Sequence, residues 1–246
     1  KEIGLSSENS KKLLLQLGIF GILRTVFLKR MESSVSALRS SLETYSHKLE
    51  LFEKGIEEGK IVSLKDIEAL ELSFGDEDLE VDEESLEENT LDIIDEKNYE
   101  LEIIKQDLKK EKELVSVIRD QLEILAKDDS KIKCFGALID KLEKENPNKK
   151  VLVFSYYADT INYIQDSISK YSSSVNNENT GFVSSKNRSD AENLASRFSP
   201  ISKNYVLKDG ESSLQYLFST DVLSEGQNLQ DAGILVNYDL HWNPVR

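Results

Sequence analysis

Apolar residues recur along the chain with different periods, and each period predicts a different element. Val35, Leu38, Leu42, Tyr45, Leu49, Phe52 and Ile56 alternate three and four apart, the spacing of a helix that buries one narrow seam. A matching seam returns at Ile94, Leu101, Leu108, Val115 and Leu122, each seven after a repeat position, with Ile104, Ile118 and Leu125 flanking it. Two such helices joined by a polar stretch predict an antiparallel helical hairpin. Upstream of them, residues 1–30 read as an apolar helix whose Gly18 and Gly21 invite close packing against another element.

Beyond Asp129 the period changes. Ile132, Phe135, Ile139 and Leu142 mark a helix that stops at Asn146-Pro147-Asn148. Val151-Leu152-Val153-Phe154 is a short continuous apolar run, suited to a strand buried on both faces. Residues 158–171 read as helix, and Gly181-Phe182-Val183 as a weaker strand. Ser189-Asp190-Ala191-Glu192 has the form of a capping box opening a helix that runs to about Phe198. Tyr216-Leu217-Phe218 and Ile234 to Tyr238 are two further strands. Strands alternating with helices at this spacing predict a parallel sheet covered by helices. The expected fold class is α/β with an inserted antiparallel helical hairpin, divided into 1–30, 31–128 and 129–246. Cys134 falls on an amphipathic helix, where core packing is expected of it.

Charge sharpens this division. The net charge of -15 looks wrong for a nucleic-acid binder until it is localised. Residues 50–128 hold 27 acidic and 10 basic residues, a net of -17, and the remainder is close to neutral at +2. Nine of the thirteen residues from Asp76 to Glu88 are Asp or Glu, a self-repelling run that reads as a disordered loop. A global acidity confined to one segment leaves room for a nucleic-acid surface elsewhere. The single cysteine asks for no oxidising compartment. The apolar stretch from Leu13 to Leu28 is broken by Gln16 and Arg24 and falls short of the roughly 20 residues of a membrane helix. It follows Lys11 and Lys12 as a signal peptide would, but no small-x-small cleavage site comes after it. A cytoplasmic chain without a membrane or metal site is the expectation.

In an open parallel sheet, ligands collect beyond the carboxyl ends of the strands. Ser155-Tyr156-Tyr157 follows the first strand, and Ser184 to Arg188 the second. Ser219-Thr220-Asp221 and then Ser224 to Asn228 follow the third, and Asp239, His241, Trp242 and Asn243 the fourth. Hydroxyls and amides near helix starts bind phosphate without net positive charge. Turns favour the same residue types, so the pattern alone leaves a bland α/β domain open.

The stretch from Leu217 to Ala232, with Ser219-Thr220-Asp221-Val222-Leu223-Ser224-Glu225-Gly226-Gln227-Asn228 at its centre, resembles motif V of superfamily-two helicases. It is most similar to the Swi/Snf-like branch, which includes the bacterial RNA-polymerase-recycling ATPase. Asn237 to Pro244 resembles the motif that follows, and residues 151–160 resemble motif IV. Leu28-Lys29-Arg30-Met31-Glu32-Ser33-Ser34 resembles the join between the two motor domains of that branch, and Arg197-Phe198-Ser199-Pro200 also fits.

The resemblance implies a second RecA-like domain at 129–246 of an ATP-driven translocase on duplex DNA, preceded by the join at 1–30. It assigns Ser155 and Thr220 to the phosphates of the tracked strand, with Arg188 close to the same backbone. It assigns Glu225, Gly226 and Asn228 to the nucleotide, ATP with magnesium, in a cleft shared with a first motor domain; glycine lets a ribose or phosphate approach the backbone. Trp242 either stacks on a base or wedges against the sheet, and His241 reads as a loop residue. No Walker A pattern occurs in the 246 residues, nor an acidic pair after a strand. The arginine-rich motif VI is expected beyond Arg246, so no catalytic residue is assigned here. A second reading, of a different class, makes the acidic hairpin the working part: a protein-interaction module on a helicase-like scaffold.

Overall fold

The computed structural model describes residues 21, 23–57, 60–62, 91–93, 100–184, 189–223 and 228–239. Helix α1 covers 23–33. After a break at Ser34 comes α2 (Val35–Glu57), then the short strands β1 (Lys60–Val62) and β2 (Leu91–Ile93), paired antiparallel. Helices α3 (Leu101–Ala126) and α4 (Ser130–Glu145) follow. The remaining elements are β3 (Lys150–Phe154), α5 (Ala158–Ser167), β4 (Thr180–Val183), α6 (Ala191–Phe198), β5 (Tyr216–Ser219) and β6 (Ala232–Asn237). The acidic run from Asp76 to Glu88, Ile94 and Gly18 lie outside the described residues.

The two heptad seams meet. Leu38, Leu42, Leu49 and Ile56 of α2 form one buried cluster with Leu108, Val115 and Leu122 of α3, closed at the sides by Val35, Tyr45, Phe52, Leu101, Ile104 and Ile118. Arg39 pairs with Glu123 at one end and Glu53 with Lys112 toward the other, which fixes the helices as antiparallel. Leu125 is left out of the seam, half exposed beside the end of α3. Leu108 is 4% exposed, so Leu108→Ala removes a packed side chain with little room for collapse. A loss of roughly 2–5 kcal/mol is expected in urea unfolding, and less for the partly buried Leu101. A change below about 0.5 kcal/mol would show that the helix pair is not cooperative with the part melted.

All four strands of the main sheet run parallel in the order β4-β5-β3-β6. Successive side chains alternate between its faces. Val151, Val153, Tyr216 and Phe218 pack with Ile132, Phe135 and Ile139 of α4 and with Ile161 and Ile164 of α5. Leu152 and Leu217 face the other way, against Ala191, Ala195 and Phe198 of α6. Gly136 lets α4 approach closely: a Cβ there would stand 2.4 Å from the carbonyl oxygen of Tyr171. The chain leaves α4 through Asn146-Pro147-Asn148, where Asn148 takes φ 70, a left-handed value that asparagine tolerates.

Three local expectations are corrected. Cys134 is exposed, because α4 buries the face carrying Ile132, Phe135 and Ile139 and Cys134 points off it. The capping box does not close: Asp190 at the cap has helical backbone angles and makes no side-chain cap bond, and a 3-10 turn at 189–190 leads into α6 instead. Gly21 has nothing within 4 Å of an added Cβ, so it marks no close contact among the described residues.

Asp140 of α4 organises the turn before β4. It accepts from the hydroxyls of Ser172 (2.6 Å) and Ser174 (2.8 Å) and from the backbone N–H groups of Ser173 and Ser174. Burial pushes its pKa up, but these donors outweigh it and hold the carboxyl at about 2 against an ordinary 3.8. A depressed folded value means stability that is present above the ordinary value and lost as pH falls from 3.8 toward 2. Thermal melts at pH 7 and pH 3 should therefore differ less for Asp140→Ala than for the parent chain. Equal acid sensitivity of the two would remove Asp140 from the account.

Candidate nucleic-acid interface

Parallel strands deliver their carboxyl ends to one edge, and the strand order sets the residues that stand side by side there. Ser184, Thr220, Ser155 and Asp239 follow β4, β5, β3 and β6, and that is also their order across the edge. The backbone continues the sheet one step: Thr220 N–H donates to Val183 O (3.1 Å), Ser155 N–H to Ser219 O (3.1 Å) and Tyr238 N–H to Phe154 O (2.7 Å). Three hydroxyl-bearing residues and one carboxylate therefore stand side by side at this edge.

Its centre is not open. Ser155 is 3% exposed and its hydroxyl donates to Asp239 Oδ2 (2.6 Å), while Tyr156 N–H donates to Asp239 Oδ1 (2.8 Å). Ser33 Oγ, from the end of α1, donates to the same carboxylate. The stretch that resembles the interdomain join is therefore fastened to the sheet edge by side chains. Ser33 and Ser34 both reach the Thr160 hydroxyl, at 2.7 and 2.8 Å. Ser34 also caps α2, accepting from Ala37 N–H at 3.0 Å.

Two cations complete this junction. Arg30 is 6% exposed; it donates to Ala37 O (3.0 Å) and Asp159 Oδ2 (2.8 Å) and lies over the Tyr157 ring at 4.8 Å. Lys131, at the start of α4, donates to the carbonyls of Glu32 (2.6 Å) and Ser33 (2.8 Å), which close the C-terminal end of α1. Its ammonium also sits 4.1 Å from the centre of the Tyr238 ring. Burial lowers the Lys131 pKa, against the pull of Asp239, Asp129 and Glu32 upward. Burial raises that of Tyr238, with Asp129 and Tyr163 acting the same way.

Thr220 behaves differently from Ser155. It is 4% exposed, and its hydroxyl has no hydrogen-bond partner among the described residues. A buried hydroxyl without a partner costs free energy and asks for a reason. Arg188, Glu225, Gly226, His241 and Trp242 lie outside the described residues. Asn228 stands at the opposite edge of the sheet. Its amide donates to Ser202 O (2.9 Å), and Ser202 and Ile201 N–H groups bind Asp231, just before β6 begins. Of the three residues assigned to the nucleotide, the described part of the chain thus shows one, already engaged.

The residues that sequence reasoning missed are Arg30, Asp159, Thr160 and Lys131. The join was legible as a segment, but its partners lie about 130 residues away for Arg30 and Asp159 and about 100 for Lys131 and Ser33. No local pattern signals a contact at that range. Among the described residues there is no group of three or more side chains that could hold a metal ion, and no helix long and apolar enough to cross a membrane.

A four-stranded parallel sheet with helices on both faces, and with polar groups gathered at its carboxyl edge, defines an α/β domain consistent with the RecA-like helicase fold. Residues 130–246 match the model of the helicase conserved C-terminal domain. No curated protein and no solved structure compared with the chain matches it.

Proposed function

We propose that this chain supplies the second motor half of an ATP-dependent translocase of the Swi/Snf type, with the carboxyl edge of its sheet lying on duplex DNA. The observation that carries this reading is Thr220: a buried hydroxyl without a partner, at the middle of a polar edge, in a helicase C-terminal domain. A phosphate oxygen is the acceptor such a hydroxyl lacks, and phosphate contacts supply most of sequence-independent affinity. Ser155, adjacent at the edge, can serve the same backbone only if its hydroxyl leaves Asp239. Arg188 adds a cation to the track. ATP with magnesium would be shared with a first motor domain, with Glu225, Gly226 and Asn228 contributing from this side. Hydrolysis there would supply the free energy for opening and closing the two halves.

The test is fluorescence anisotropy with a labelled duplex at low salt, repeated as salt rises. Binding should be weak and strongly salt dependent, since the chain outside the acidic segment carries about +2. Thr220→Ala and Arg188→Ala should weaken it further with unchanged circular dichroism, whereas Lys208→Ala, in the connection between α6 and β5, should not. Deleting Asp76 to Glu88 should tighten it, because that run competes as a polyanion. If both variants bound like the parent while Lys208→Ala lost affinity, the track would lie elsewhere.

A further inference from the structure

One carboxylate oxygen serves both the join and the sheet edge. Asp239 Oδ2 accepts from Ser155 Oγ (2.6 Å) and from Ser33 Oγ, while Oδ1 takes the Tyr156 N–H at 2.8 Å. A hydroxyl has a single proton, so these donors fix the direction of every bond behind Ser33. With the Ser33 proton on Asp239, the Thr160 hydroxyl must donate to Ser33 (2.7 Å), and Ser34 must donate to Thr160 (2.8 Å). Ser34 Oγ in turn accepts from Ala37 N–H at 3.0 Å. The result is a one-way chain, Ala37 to Ser34 to Thr160 to Ser33, that starts in the first turn of α2 and ends on the carboxylate. Bonds aligned in this way polarise one another, and the link to an ionised acceptor is the strongest of them.

Ser155 is a second branch on the same oxygen. Its one proton cannot serve Asp239 and a phosphate together. A phosphate oxygen bonded to Ser155 would also stand within about 5 Å of the carboxylate, where two anions repel. Ser155 is buried and Asp239 half-buried, so the carboxylate that holds the hydroxyl has to yield before an anion takes it. What it can yield toward is Ser33 and the Lys131 ammonium, which binds the Ser33 carbonyl and attracts Asp239.

We infer that Asp239 is a positioning residue that couples the track to the join with a defined sign. An anion on Ser155 leaves Oδ2 to Ser33 alone, and this tightens the hold on α1 and on the base of α2. The inference rests on the reading of this edge as a duplex track, and it adds how occupancy of the track reaches the helical hairpin. Coupling of this kind is reciprocal. When Ser33 no longer draws on Asp239, the carboxylate holds Ser155 harder and the duplex binds less well.

The experiment is hydrogen exchange at 34–38 in residues 1–246, first without DNA. Asp239→Asn should speed exchange by about tenfold, since the chain loses its ionised acceptor. Ser155→Ala should slow it by about threefold, because Ser33 gains sole use of Oδ2. A merely structural Ser155 would give the opposite sign. Ser155 Oγ also accepts from Tyr157 N–H (3.4 Å) ahead of α5, so Ser155→Cys, a weak donor that keeps an acceptor there, is measured beside it and should also slow exchange. Saturating duplex DNA should slow exchange in the parent by about threefold and leave Asp239→Asn unchanged. Ser33→Ala should weaken DNA binding by about threefold although Ser33 is fully buried. Faster or unchanged exchange in both Ser155 variants overturns the inference, whatever DNA does. Slower exchange in those variants without any binding of DNA upholds the competition for Asp239 and removes the track reading alone. DNA that binds and speeds exchange at 34–38, or leaves it unchanged, overturns the coupling while the track reading stands.

Discussion

Residues 1–246 on their own are expected to release phosphate from ATP at the background rate, with or without duplex DNA. Phosphoryl transfer in this class requires a P-loop lysine, a magnesium ligand and an arginine finger placed together. The 246 residues hold neither a Walker A pattern nor a Gln-Arg-x-Gly-Arg-x-x-Arg run. Of the residues assigned to the nucleotide, Asn228 donates to Ser202 O, away from the polar edge. Losing an arginine finger alone costs about 1,000- to 100,000-fold in rate, and the P-loop lysine and metal ligand are needed in addition. A steady-state phosphate-release assay measures this directly. Activity should return when a domain bearing a P-loop and an arginine-rich motif are supplied to the chain, and Gly226→Trp should then impair it by filling the nucleotide's space. DNA-stimulated hydrolysis by the unaided chain, abolished by Gly226→Trp, would disprove the half-motor reading.

Arg30→Ala is expected to produce the largest loss of stability of any single change at the junction, about 3 kcal/mol. Breaking a buried ion pair costs roughly 3–5 kcal/mol because the remaining charge stays desolvated. Asp159 is 20% exposed, so water relieves part of that penalty and the lower end applies. The same substitution removes one donor to the Ala37 carbonyl, which keeps the Ser41 hydroxyl, and takes the cation from the Tyr157 ring. Arg30→Lys keeps the charge but not the planar fork that serves Ala37 and Asp159 together, so its loss should be intermediate. Urea unfolding gives the magnitude, and a double-mutant cycle with Asp159→Asn isolates the pair. Hydrogen exchange at 34–38 should accelerate in Arg30→Ala, because these residues form the base of α2. A midpoint within about 0.5 kcal/mol of the parent would mean that α1 is not fastened to the core through Arg30.

This junction bears on the proposed motor. Arg30, Ser33, Ser34 and Lys131 link α1, the start of α2 and the start of α4 to the loop after β3 and to Asp239 after β6. Ser155, assigned to the track, shares its carboxylate partner with Ser33 of the join. Any change at the sheet edge that draws Ser155 away from Asp239 acts on the same carboxylate that holds the join.

Periodicity determined the elements. The heptads at Leu38, Leu42 and Leu49 and at Leu108, Val115 and Leu122 defined two helices and the faces by which they meet. The apolar runs at 151–154 and 216–218 defined strands buried on both sides, because a strand with helices on both faces has no polar face to show. The row of polar residues after each strand was legible too, since parallel strands point their carboxyl ends to the same edge.

What the sequence could not determine were partners. Hydrophobic spacing reports which face of an element avoids water, but not which neighbour covers it. The order β4-β5-β3-β6 depends on crossovers that no local pattern encodes. Cys134 is exposed although its helix is amphipathic, because the buried face is narrow and begins at Ile132 and Phe135. Leu125 falls outside the seam and Ile103, Leu114, Val117 and Ile124 remain uncovered, because α2 offers a single face to α3. Ser155 turns to Asp239 and Asn228 to Ser202, each choosing an acceptor brought near by the fold. Hydrogen bonds reach about 3 Å, so contacts 84 and 26 residues apart in sequence exist only once the chain has closed around them.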